Sequence, residues 1–261
     1  MQKLFVIKVG GTVIDDEVRL LKFLKDFALI QEPKILIHGG GKLATSMAEQ
    51  LNIPQQIIDG RRITDAETLK VIIMVYGGYI NKSIVATLQA YGCNAIGLSG
   101  SDGNLIKAHK RIHPTIDYGF VGDIDEVNNQ LIDQLLKEKM TIVAAPITHD
   151  GNGQLLNTNA DTIASSIAVA MSRQYEVRLV YCFEKKGVLD DIQNENSVVP
   201  LITREIHLEL LNSKKISEGI LPKIDNAFSA IASGVREVII GDAEDLLRNI
   251  SQSPSGTLIK E

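Results

Sequence analysis

The chain has 261 residues, 44% of them hydrophobic and 23% charged, a globular composition with ample material for a core. Its net charge of -5 argues against a nucleic-acid-reading surface, which brings an excess of Lys and Arg. No apolar run approaches the roughly 20 residues of a membrane span, and the apolar start at 4–9 is too short for a signal peptide. Two cysteines, Cys93 and Cys182, stand in no metal or redox spacing and read as reduced cysteines of a cytoplasmic protein.

In chain order, "LFVIKV" (4–9) reads as a buried strand stopped by Gly10-Gly11. A helical stripe covers 15–30. "KILIH" (34–38) is a second strand, followed by three consecutive glycines, Gly39 to Gly41, and a helix over 42–51. Asp65 is an N-cap for a helix over 66–76, and a second helix over 80–91 is expected after a break at Gly77-Gly78. "NAIGLSG" (94–100) reads as strand then glycine loop. The alternation in 104–127 predicts an antiparallel ribbon. A helix over 128–139 leads to a strand over 141–147.

The second half repeats the theme. A turn at "DGNG" (150–153) precedes "QLLNTNAD" and a helix to about Arg173. A strand over 176–183 ends in a turn at Gly187. Helices are expected over 203–212 and 218–233, and late strands at 237–241 and 256–259 flank a short helix at 243–250. Strands alternating with helices predict a mainly parallel sheet covered on both faces. A lobe boundary is placed near residue 150.

Glycine loses more backbone freedom on folding than any other residue, so the clusters at 10–11 and 39–41 need a reason. Closely spaced glycines let backbone N–H groups approach an anion, and a helix N-terminus behind them adds partial positive charge. Neither common phosphate fingerprint fits: Lys42 follows three adjacent glycines, and "GGGKLA" lacks the G-x-G-x-x-G spacing. Lys8 lies inside an apolar strand just before a glycine pair, which favours a phosphate-facing lysine over one that snorkels to water. Taken singly, Asn159 and Asp161 in "NTNAD" read as first-turn helix chemistry, Lys223 as a solvent-facing lysine and Arg62 as a loop charge. The five histidines, His38, His109, His113, His149 and His207, form no metal spacing, and His38 reads as a residue that shapes the glycine loop.

Together these segments resemble the amino acid kinase family over nearly the whole chain. "FVIKVGGTVI" is similar to its K-x-G-G strand and "ILIHGGGKLA" to its H-G-G-G loop. "DGRRIT", "LLNTNADTIAS" and "EGILPKIDNAFSAI" are similar to the G-x-R-x-T, N-x-N-A-D and G-M-x-x-K segments of its acylglutamate kinases, with Glu218-Gly219-Ile220 where Gly-Gly-Met is usual. The resemblance implies a three-layer αβα sandwich with a mainly parallel central sheet. It implies an N-terminal lobe (1–150) for acylglutamate binding and the dimer interface, and a C-terminal lobe (151–261) for ATP.

The implied reaction moves a phosphoryl group from ATP to the side-chain carboxylate of an N-acylglutamate, acetylated or otherwise acylated, in arginine biosynthesis. Lys8 and Lys223 would stabilise the phosphoryl group and Asp161 would hold the two lysines in position. Gly10, Gly11, Gly40 and Gly41 would supply backbone donors, and Arg62 and Asn157 would bind the substrate. Nucleotide contacts would fall to Lys186, Gly187, Val188, Leu189 and Ser217. Mg²⁺ would be held mainly by the ATP phosphates, with no protein metal site.

Where the family commonly has an Asp-Val-x-Gly turn, this chain has "CFEKKG". It also opens on the strand, without the preceding helix and the C-terminal histidine-bearing segment of arginine-inhibited members. The expectation is an arginine-insensitive homodimer in the cytoplasm, with no nucleic-acid or membrane partner. Another kinase of the family, such as an aspartokinase-like enzyme sharing "KVGGT", stays open. So does a non-catalytic nucleotide or amino-acid sensor.

Overall fold

In the computed structural model, residues 1–58, 61–191, 193–213 and 221–261 are described. Strand β1 (Lys3–Val9) buries Leu4, Phe5, Val6, Ile7 and Val9 almost completely, as a strand covered on both faces must. A short helix α1 (Gly11–Ile14), not expected from the sequence, follows. Helix α2 (Glu17–Leu29) starts at Asp16, whose carboxylate accepts the Arg19 N–H at 3.1 Å. At its far end Lys34 donates to the carbonyls of Ala28 (3.2 Å) and Ile30 (2.6 Å), which a helix C-terminus otherwise leaves without partners. Strand β2 (Lys34–His38) and helix α3 (Gly41–Gln50) flank the triple glycine. The two-residue strands β3 (Ile57–Ile58) and β4 (Arg61–Arg62) come next.

Asp65 caps α4 (Ala66–Ile72), accepting the Thr68 N–H at 2.7 Å. The expected break at Gly77-Gly78 is absent. The helix runs on through a π-helical stretch, Ile73–Ile80, into α5 (Asn81–Ala90). The wider π turn absorbs the glycine pair instead of ending the helix. A Cβ on Gly77 would lie 3.1 Å from Ile147 Cδ1, so the small residue also permits close packing. By length and hydropathy this helix is long enough to cross a membrane, but Leu69, Val71, Ile72, Val75, Ile80, Ile84 and Leu88 are buried, which makes it a core helix.

Strands β5 (Ala95–Leu98), β6 (Ile106–Lys110) and β7 (Gly122–Val127) precede α6 (Asn129–Lys137), β8 (Thr141–Ala144), β9 (Ile147–His149) and β10 (Leu155–Asn157). Helix α7 (Ala160–Met171) and strand β11 (Glu176–Phe183) follow. The chain ends with β12 (Leu201–Ile202), α8 (Arg204–Ser213), α9 (Leu221–Ala232), β13 (Glu237–Asp242), α10 (Leu246–Asn249) and β14 (Thr257–Ile259). The single strand expected over 141–147 is two strands in different sheets. Pro146 lies between them and has no N–H to extend the first ladder.

Packing cuts the chain at two points instead of once near 150. One compact unit is Met1–Lys34 with Ala164–Glu261, and the other is Ile35–Ile163. In the first, the strands run in the order β12-β14-β13-β11-β1, all pairs parallel except β13 with β14. Arg178 on β11 reinforces this sheet: it pairs with Glu237 and donates to the Ile250 carbonyl at 2.7 Å. In the second unit, β2, β8 and β5 are parallel, and β10-β9-β6-β7 form a further sheet. The antiparallel pairing of β6 with β7 is the ribbon expected over 104–127. The architecture is α/β with mainly parallel principal strands.

Candidate active site

In the first unit, Lys8 stands near the end of β1, in register with Tyr181 of β11. Register partners in neighbouring strands project to the same face. Lys223 is the third residue of α9, and its Nζ lies 5.7 Å from the centre of the Tyr181 ring, within cation–π range. Two lysines 215 positions apart by their numbers, 8 and 223, are thus related to one buried tyrosine, Lys8 as its register partner across the strand pair and Lys223 by its ammonium over the ring.

The backbone beside Lys8 is shaped for a strand-to-helix turn. Gly10 donates its N–H to the Cys182 carbonyl at 2.9 Å, so this group serves the sheet. Its φ is -71°, and a Cβ there would meet only ordinary contacts, the nearest at 3.5 Å. Neither strain nor crowding within this unit demands glycine at position 10. Gly11 opens α1, where first-turn N–H groups point out of the helix end. Cys182 is buried, and desolvation pushes its thiol up to about 12 although Lys8 pulls the other way, so it is no nucleophile.

The unusual "CFEKKG" turn is bound into the same unit. Glu184 accepts a hydrogen bond from Thr12 of α1 at 2.7 Å, and Lys186 donates to Asn196 at 2.9 Å. A Cβ on Gly187 would lie 2.7 Å from Thr257 Oγ1, and that hydroxyl accepts the Val188 N–H at 2.8 Å. Val188 and Leu189 are buried. Of the residues expected to contact the nucleotide, Lys186 thus ties its own loop, while Gly187, Val188 and Leu189 pack into the unit. Ser217, with Glu218, Gly219 and Ile220, lies outside the described residues, as do Asp59 and Gly60 of "DGRRIT".

In the second unit, Gly40 explains part of the triple glycine. Its φ is 139°, a region that L side chains rarely adopt, and a Cβ would stand 2.2 Å from Ile80 Cδ1. Gly41 starts α3, and Arg62 is tied to that first turn: it donates to the Gly41 carbonyl (2.9 Å), to Thr45 Oγ1 (2.8 Å) and to Gln55 Oε1. The structure therefore brings Arg62 to the glycine loop. Asn157 donates to Thr64 Oγ1 at 3.0 Å, and Thr64 is fully buried two residues beyond Arg62. Asn159 caps α7, accepting the N–H groups of Asp161 (2.9 Å) and Thr162 (3.1 Å), which puts Asp161 in the first turn as read from the sequence.

Behind the loop sits a fully buried His38. Its Nδ1 lies 2.9 Å from the Gly39 carbonyl and its Nε2 3.2 Å from Asn81 Nδ2. Asn81 also donates to the Val143 carbonyl at 3.0 Å, and its Oδ1 accepts from Lys82 Nζ at 3.1 Å. Burial lowers the His38 pKa to about 4, with Lys82 adding to the effect. A Cβ on Gly97 would fall 2.0 Å from Asn81 Oδ1, so this strand glycine makes room for the amide.

Sequence reading missed Tyr181 and Asn81. The available signals were a tyrosine placed among apolar strand residues and a polar Asn-Lys pair that interrupts an apolar helical run.

Comparison with known proteins bears on the family and the fold. The chain is 54% identical to the acetylglutamate kinase of Cytophaga hutchinsonii, over 97% of this chain and 96% of that one. Its backbone superposes on a Streptococcus mutans UA159 crystal structure with a TM-score of 0.77 at 26% identity, covering 99% and 98% of the two chains. It also superposes on N-acetylglutamate synthase from Neisseria gonorrhoeae, complexed with coenzyme A and N-acetylglutamate, with a TM-score of 0.84. The identity there is 19%, and all of this chain covers 59% of that one, so that likeness speaks for the fold alone. The sequence pattern of the Amino acid kinase family matches residues 3–242. On these grounds the chain belongs to the amino acid kinase family.

Proposed function

We propose that the protein transfers the γ-phosphoryl group of ATP to the side-chain carboxylate of N-acetyl-L-glutamate, forming an acyl phosphate in arginine biosynthesis. The observation that carries this reading is the relation of Lys8, by strand register, and Lys223, by its ammonium, to Tyr181, in a chain whose 54% identical relative is an acetylglutamate kinase.

The chemistry suits these residues. A glutamate carboxylate has a pKa of about 4.3, so the nucleophile is ionised near neutral pH and needs no general base. The obstacle is repulsion between an anion and a polyanion. Catalysis then comes from charge stabilisation and in-line positioning. Lys8 and Lys223 neutralise charge on the moving phosphoryl group, and Asp161 supplies the carboxylate that orders them. Gly11, Gly40 and Gly41 offer backbone donors, and Arg62 and Asn157 bind the acylated amino acid. Among the described residues there is no group of three or more His, Cys, Asp or Glu side chains able to hold a metal ion. Mg²⁺ would come with the nucleotide phosphates and neutralise part of their charge.

In this reading the unit Ile35–Ile163 supplies acylglutamate binding and the dimer interface, and the unit formed by Met1–Lys34 and Ala164–Glu261 supplies ATP binding. A homodimer would cover the exposed Met74 (55%) and Tyr79 (68%) of the π-helical stretch. The two buried free cysteines suit a cytoplasmic protein.

The test is turnover of ATP with Mg²⁺ and hydroxylamine, which traps acyl phosphates as hydroxamates, using N-acetylglutamate, N-succinylglutamate and aspartate as acceptors. Hydroxamate from N-acetylglutamate above the others is expected. Preference for succinyl would change the acyl group. Intact ATP binding with no hydroxamate from any acceptor would make the protein a sensor.

A further inference from the structure

We propose that Asn81 is a positioning residue for phosphoryl transfer, acting through the tautomer of His38 and the carbonyl of Gly39 to aim the Gly40 N–H. The inference rests on the kinase activity proposed above. It starts from the hydrogen-bond inventory of a buried amide. The Val143 carbonyl can only accept, so the Asn81 group 3.0 Å from it is the NH₂. The Lys82 ammonium can only donate, so the group 3.1 Å from it is the oxygen. The orientation of the amide is thereby fixed, and its second N–H faces His38 Nε2 at 3.2 Å.

A nitrogen that accepts carries no proton. In the neutral imidazole the proton then sits on Nδ1, which donates to the Gly39 carbonyl at 2.9 Å. Burial of both side chains, at 0% and 1% exposure, keeps water from offering a substitute partner. The Gly39 C=O and the Gly40 N–H belong to one planar trans peptide and point in opposite directions. Holding the carbonyl against the ring therefore directs the Gly40 N–H away from it, at the start of α3.

The rest of the local sequence serves the same arrangement. Gly97 vacates the space the amide needs, and Lys82 donates to the Gly97 carbonyl at 2.8 Å as well as to Asn81. The π-helical stretch ends at Ile80, the residue whose side chain fills the space beside Gly40, and Asn81 is the next residue. One helical segment thus supports both the glycine that bends and the histidine that orients it. Transition-state donors act only when aimed at the developing charge, which gives the relay its value.

The experiment replaces Asn81 with Leu and measures two things. Ring ¹⁵N shifts of His38 in the ligand-free protein report which nitrogen carries the proton. Hydroxamate kinetics report kcat and the KM for ATP. In wild type the proton is expected on Nδ1. In Asn81→Leu, with only the Gly39 carbonyl left to select Nδ1–H, the share of the Nε2–H tautomer should rise, kcat should fall about 10- to 100-fold, and the KM for ATP should hold. Adding His38→Asn, whose amide can donate in the place of Nδ1, should recover most of the lost turnover. Should the Leu variant fail to fold, Asn81→Ala, which only opens space, gives the same readings. Unchanged kcat, lost kcat with the Nδ1 tautomer intact, or no recovery in the double variant would each overturn the proposal. Absence of hydroxamate from wild type itself would overturn the kinase reading instead, a failure visible before any variant is made.

Discussion

Lys223 holds its ammonium 5.7 Å from the centre of the Tyr181 ring, and Tyr181 is the strand partner of Lys8. The tyrosine is buried, so its ring face is a fixed surface against which a flexible lysine can be ordered. Replacing it with Leu keeps the apolar bulk and removes the quadrupole. Turnover by Tyr181→Leu should fall about tenfold, the equivalent of a cation–π contact of about 1–2 kcal/mol. Steady-state kinetics beside a thermal melt check this. A lower melting temperature with unchanged kcat would make Tyr181 a packing residue only.

Gly40→Ala tests the bent loop. The position combines a φ of 139° with a Cβ site 2.2 Å from Ile80 Cδ1. The substitution should cost about 2–3 kcal/mol of stability, read as a lower urea midpoint, and should lower turnover as well. Adding Ile80→Ala would relieve the collision but not the backbone, so the double variant should remain less stable than wild type. Full recovery would show that crowding alone demands the glycine.

His38 gives the protein a stability dependence on pH with a defined sign. Unfolded, the ring titrates near 6.5, whereas burial holds the folded ring at about 4. Below pH 6.5 the unfolded chain therefore binds a proton that the folded chain refuses. The stability this residue contributes is complete above 6.5, declines as the pH falls, and is lost by about 4. The gap is worth about 3 kcal/mol in full, of which about 2 kcal/mol falls between pH 7 and pH 5. Urea unfolding of wild type and His38→Asn at those two pH values checks it. Equal losses in the two proteins would contradict the assignment.

The homodimer in the proposed function has a direct solution test. Sedimentation equilibrium should give twice the chain mass for wild type, and Tyr79→Lys, which puts a charge on an exposed ring position, should shift the protein toward monomer. A monomeric wild type would remove the interface from the account.

Much of this was legible in the residues because local chemistry governed it. The alternation over 104–127, the caps at Asp65 and Asn159 and the apolar run of β1 each carry their own short-range signal. What failed to show is non-local. A glycine pair inside a helix looks like a stop unless the residue packed against it, here Ile147, is known. Pro146 split an apolar run into two sheets, although the run reads as one strand. Gly10 reads as a ligand-facing donor, but its N–H pairs with Cys182, which lies on a strand distant in sequence. Asn81 acquires its meaning only through His38, Val143 and Gly97, which three different strands bring to it.

The central claim is that Lys8, the register partner of Tyr181, and Lys223, whose ammonium lies over its ring, together stabilise a phosphoryl group in transfer. The measurement that bears on it most directly is hydroxamate formation from ATP and N-acetylglutamate by Lys8→Ala and Lys223→Ala, with nucleotide affinity taken separately by calorimetry. Each variant should lose about 100-fold or more in kcat while its Kd for ATP changes little. Turnover near the wild-type rate in either variant, or a loss carried wholly by weaker ATP binding, would contradict it.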